Sequence, residues 1–150
     1  MKTQLERLAE YVRYAADYLR LKDWHFHVAV DETLNESLAT IDCVPNRMLA
    51  TICVGPLFFT VDPAEQRHGI VHELIHCHLQ RARTHFDSLA DHHGESHPIH
   101  RRNHDDHLES GVDALAGALA WALLDPEAFA RLAPSKRTAS RNARRPIPHG

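Results

Sequence analysis

The sequence predicts an α+β fold: a small, mainly antiparallel sheet packed on an N-terminal helix, a central helix and a C-terminal helix. Three observations carry this. Apolar residues recur at helical spacing from Leu5 to Leu19, the pattern switches to period 2 from residue 24, and helical spacing returns after Asp62. A chain of 150 residues, 43% of them apolar, suffices for one modest core, so a single domain is expected over residues 1–130.

Each element has its own local reason. Thr3 and Glu6 form a capping box, and Leu5, Leu8, Val12, Ala15, Ala16 and Leu19 follow on one face, which predicts an amphipathic helix over residues 4–21. In "WHFHVAV", Trp24, Phe26, Val28 and Val30 alternate with His25, His27 and Ala29, as in a half-buried strand with its histidines toward solvent. "LATIDCV" and "MLATICVG" are two further β-rich runs, and Pro45, Asn46 and Arg47 between them suggest an antiparallel hairpin. "LFFTV" follows Gly55-Pro56, so it either extends the last strand or covers the core.

Asp62 as N-cap, Pro63 as first helical residue and Glu65 three positions after the cap start a strong helix, continued by Ile70, Val71, Leu74, Ile75, His78, Leu79 and Ala82. Residues 84–104 hold six histidines, Gly94 and Pro98 without sustained period, and are expected to be a long loop. A last helix over about residues 105–124 is expected to bury Leu108, Val112, Leu115, Leu119 and Leu123, ending before Pro126.

The net charge of −3 conceals an asymmetry, because residues 131–150 carry six Lys or Arg and no acid. This basic tail, with three prolines and no apolar period, cannot bury enough surface to offset its ordering entropy, and disorder is expected. Six charges without interleaved aromatics are a weak nucleic-acid signal, so nucleic acid is not the expected partner. The N-terminal residues carry charges throughout, and the longest apolar run, residues 114–124, falls short of a membrane span. A soluble, cytoplasmic protein without membrane attachment is the expectation. Cys43, Cys53 and Cys77 are odd in number and form no C-x-x-C, which argues for reduced core thiols rather than a disulfide framework or a cysteine zinc site.

The chemistry concentrates in "IVHELIHCHL", residues 70–79. With 14 His in the chain, a random arrangement would contain H-E-x-x-H roughly 8% of the time, so the context of the motif has to decide. On a helix His72 and His76 aim both imidazoles from one face, which supplies two ligands of a tetrahedral site. Glu73, rotated about 100° around the axis, borders the same cavity and suits the task of taking a proton from a metal-activated water. Apolar Leu74 and Ile75 fit a helix whose other side is packed in the core. Glu109 and Asp113 form an i, i+4 carboxylate pair whose mutual repulsion a dication would relieve: Glu109 as third ligand, Asp113 orienting a histidine. Two solvent-facing acids at a helix start are the bland alternative. The loop histidines His100, His104 and His107 are rival ligands, and His100 and His104 are candidates to contact substrate or the oxyanion.

"HELIH" followed on a later helix by "ESGVD" resembles the gluzincin zinc metallopeptidases, specifically their minimal single-domain members, across roughly residues 24–120. The resemblance implies a zincin-like fold, zinc held by His72, His76 and Glu109, Glu73 as general base, Asp113 as supporting partner, and a peptide or protein as substrate. It departs from the larger members in Leu108 and Val112, in the 32 residues between His76 and Glu109, and in lacking room for a further domain. "MLATICVG", directly before the active helix, is the expected edge on which an extended peptide would align. Two alternatives stand beside a general peptidase: a narrow regulatory protease that cuts one partner such as a repressor, and a non-catalytic or latent metal-binding interaction protein.

Overall fold

The computed structural model describes residues 2–91 and 97–132, and the chain is α+β. Helix α1, Gln4–Tyr18, begins at the capping box: Thr3 Oγ1 accepts from the Glu6 amide at 3.2 Å and the Glu6 carboxylate from the Thr3 amide at 2.7 Å. It stops before residue 21 because Arg20 turns left-handed at φ 62°, its amide reaching Asp17 O at 3.2 Å and the Leu21 amide reaching Ala16 O at 2.8 Å. This is a Schellman closure, and it returns Leu21 to the core face, so apolar spacing outlasts the helix.

Strands β1 (His25–Val30), β2 (Ala39–Val44) and β3 (Leu49–Val54) lie in the order β1-β3-β2. β2 and β3 form the expected antiparallel hairpin around the turn Pro45–Arg47, whereas β1 pairs with β3 in parallel. The sheet is therefore mixed, not mainly antiparallel, and β3 is its central strand. Alternation sets which face of a strand is buried but not its neighbour, so strand order was invisible to it. With both sides of β3 paired, "MLATICVG" is not an edge, which corrects the expected peptide-aligning strand.

Val28, Ala39, Ala50, Ile52 and Val54 put one face of the sheet into the core, while His25, His27, Thr40 and Asp42 are exposed on the other. α1 packs beneath β1 on the covered face. Gly55 ends β3 where only glycine fits, since a Cβ there would stand 2.4 Å from Leu34 O, and its amide donates to Leu38 O at 3.0 Å. A 3-10 turn, Pro56–Phe59, then buries Phe58, so "LFFTV" covers the core rather than extending β3.

Helix α2, Pro63–Asp91, is capped by Asp62, whose Oδ1 accepts from the Ala64 and Glu65 amides at 2.8 and 3.0 Å. It packs beneath β2, and helix α3, His97–Ala120, returns antiparallel beside it. The long loop expected over residues 84–104 is thus replaced by helix on both sides of residues 92–96, which lie outside the described residues. Packing of two helices against each other, with Arg83 3.8 Å from Asp105, supplies the partner that local periodicity lacked.

The buried stripe of α3 is Val112, Ala116 and Ala120, with Leu123 just beyond; Leu115 and Leu119, expected inside, are 50% and 36% exposed. The buried face of α3 is thus made mostly of small residues, and Leu115 and Leu119 lie outside it. A short helix missed in the sequence, α4 (Pro126–Leu132), is capped by Asp125 and stacks Phe129 on Tyr14 at 4.8 Å. Fully buried Tyr11 donates to Leu124 O at 2.9 Å, fastening this end of the chain to α1. Residues 131 and 132, assigned to the disordered tail, thus close α4, while residues 133–150 lie outside the described residues. Among the described residues no helix is long and apolar enough to cross a membrane.

Candidate metal centre

The rotation of α2 about its axis decides where its polar side chains go. Ile70, Val71, Leu74 and Ile75 are all buried, each worth roughly 1.5–3 kcal/mol, and together they fix that rotation. His68, His72 and His76 then leave one face at four-residue spacing and meet Glu109 and Asp113 of the antiparallel α3. The side chains interleave as a ladder, His76, Glu109, His72, Asp113, His68, so that imidazole and carboxylate alternate. The His72 ring stands between the Glu109 and Asp113 carboxylates.

Three donor atoms close a nearly equilateral triangle. His72 Nε2 is 3.3 Å from His76 Nε2 and 3.4 Å from Glu109 Oε2, and His76 Nε2 is 3.6 Å from the same oxygen. Donors about 2.0–2.1 Å from a zinc ion at tetrahedral angles stand roughly 3.3–3.4 Å apart, so the residues present fit the ion. Two imidazoles and one carboxylate also suit zinc better than magnesium or calcium, which favour all-oxygen shells. Among the described residues, His72, His76 and Glu109 form the group able to hold a cation.

The neighbours shape this centre. Asp113 Oδ1 lies 3.6 Å from His72 Nδ1, drawing that side of the ring toward α3 while Nε2 faces the triangle. The same oxygen lies 3.6 Å from His68 Nε2. The Glu109 and Asp113 side chains are 50% and 67% exposed, so the centre opens to solvent on the α3 side. His76 is held below the usual histidine range, first by burial and also by His72 and Arg83, against the opposing pull of Glu109. A neutral imidazole is the form that ligates.

Glu73 points from α2 toward β2. Burial, then the Glu109 carboxylate and Cys43, push it up to about 8, opposed by the backbone amide of Ile41, which favours its ionised form. That amide is available because Leu38 O accepts from Gly55 N, which in the antiparallel register turns the backbone groups of Ala39, Ile41 and Cys43 away from β3. Among the described residues no strand pairs with that side of β2.

The structure thus brings together His72, His76 and Glu109, with Asp113 and Glu73 at the margins of the group. His104 is half-buried on α3 and outside the group, His107 is exposed, and the side chain of His100 lies outside the described residues. Sequence reasoning missed His68, although its spacing of four before His72 was the signal, and it missed the contact of Cys43 Sγ with Cys77 Sγ at 3.3 Å. All three cysteines are free thiols, with Cys77 buried and Cys43 and Cys53 half-buried. Comparison with protein-family models, with curated proteins and with solved structures finds no match to this chain.

Proposed function

We propose that the chain is a zinc-dependent metallopeptidase of the gluzincin kind, with His72, His76 and Glu109 holding the cation and Glu73 as general base. The donor triangle, with Glu73 beside it, is the observation that carries this reading. When bound, zinc supplies Lewis-acid activation of water and of a peptide carbonyl. In its ionised form Glu73 takes up the proton released as water attacks and returns it to the leaving amine. Asp113 keeps His72 oriented. The free side of β2, with Ala39, Ile41 and Cys43, replaces β3 as the edge on which an extended peptide would align, next to Glu73.

A Glu73→Gln variant tests the reading on a peptide library with the zinc-loaded chain. Wild type is expected to cleave, and the variant to keep its zinc while losing at least about a hundredfold in rate. The contact between Glu73 and the Ile41 amide favours one second reading, a latent metal-binding protein. In that case wild type binds zinc without cleaving, and Glu73→Gln changes nothing.

A further inference from the structure

The metallopeptidase reading leaves two sulfurs without a task. Cys43 on β2 and Cys77 on α2 face each other with Sγ atoms 3.3 Å apart, 34 positions apart in sequence. We propose that Cys43 and Cys77 are an oxidisable pair that a peroxide closes into a disulfide, clamping β2 to α2 beside Glu73.

The geometry is specific to these two. A disulfide needs its sulfurs about 2.03–2.05 Å apart, so closure asks for an approach of about 1.3 Å from their present contact. Cys43 is half-buried, which lets a small oxidant reach it, whereas Cys77 is buried and resolves the product instead of meeting the oxidant first. Cys53 cannot substitute. Cys43 pairs in register with Ala50, on the covered face of the sheet, while Cys53 pairs with Thr40 on the opposite face.

The step balances with one peroxide per chain. The Cys43 sulfur attacks a peroxide oxygen, an S–O bond forms as the O–O bond breaks, and the departing hydroxide takes the Cys43 thiol proton and leaves as water. The Cys77 sulfur then attacks the Cys43 sulfur, an S–S bond forms, and the S–O bond breaks, releasing a second water that carries the thiol proton. The two thiols lose two electrons and the peroxide gains them. β2 and α2 become covalently tied, and the unfolded chain is constrained by the same loop. This chemistry stands whether or not the centre hydrolyses peptides.

Treating the intact chain with hydrogen peroxide, alkylating the remaining thiols and mapping peptides by mass spectrometry tests the proposal. The expected result is a fall from three alkylatable thiols to one, Cys53, with the Cys43 and Cys77 peptides cross-linked within one chain. Dithiothreitol should reverse the link, and the oxidised chain should unfold several degrees higher than the reduced one. Cys53→Ala should behave as wild type, and Cys43→Ala should lose both the link and the thermal shift. Should Cys43→Ala fold poorly, the wild-type map and the Cys53→Ala chain decide alone. Sulfinic acids formed separately on Cys43 and Cys77, a link between chains, or a link through Cys53 would overturn the proposal.

Discussion

Helix α2 presents two chemically different faces about a quarter-turn apart. Toward α3 it offers His68, His72 and His76 to half-exposed carboxylates, each imidazole near an acid. Toward β2 it offers Glu73 and Cys77 to a strand, where burial holds a carboxylate up at about 8 and a thiol well above its usual range, the latter first through its contact with Cys43. One helix, rotated by its four buried aliphatic residues, thus presents a cluster of convergent donors and a largely buried carboxylate side by side. Alternating imidazole and carboxylate groups suit a ligand that arrives from solvent, whereas burial on the other face raises the proton affinity of a carboxylate.

Removing a donor from the α3 side should have the largest effect. His76→Ala leaves two of the three donors, and zinc affinity measured by competition with a chelating dye should fall on the order of a thousandfold, with the fold retained by circular dichroism. On the β2 side the effect is on stability. Glu73 binds its proton more tightly when folded, about 8 against 4.5, so its contribution is fully present below about pH 4.5 and is lost as pH rises through about 8. For chelator-treated protein, denaturant unfolding at pH 9 should find Glu73→Gln more stable than wild type by about 2–3 kcal/mol after allowance for partial solvation, with little difference at pH 5. Equal pH dependence of the two chains would remove the buried-pocket half of the comparison. Asp113→Asn should give the smallest change, a roughly 10–100-fold loss of zinc affinity without loss of stoichiometry, read by the same competition assay.

The sequence was most informative where local chemistry dictates local structure. The Thr3 and Glu6 box, the Asp62 cap and the Pro45–Arg47 turn all lie where short-range pattern puts them, because their hydrogen bonds close within a few residues. The convergence of His72, His76, Glu109 and Asp113 was legible for a related reason: i, i+4 spacing on two helices leaves few ways to arrange them. Other features depend on contacts between distant segments. The place of β3 between β1 and β2, the helical state of residues 84–91 and 97–104, and the exposure of Leu115 and Leu119 carry no local signature. Cys43 and Cys77 lie far apart in the chain, and only the packing of β2 on α2 joins them. His68 is different, since its spacing before His72 was readable and its partner Asp113 was already identified.

X-ray absorption on the zinc-loaded chain tests the central claim most directly, because it reports the atoms around the ion without reference to activity. Three chain donors on two helices predict one zinc per chain, two imidazole nitrogens and carboxylate oxygen at about 2.0–2.1 Å, and no sulfur. Zinc–sulfur scattering at about 2.3 Å would move the ion to Cys43 and Cys77, and failure to retain stoichiometric zinc would leave the triangle without its cation. Either result would contradict the account.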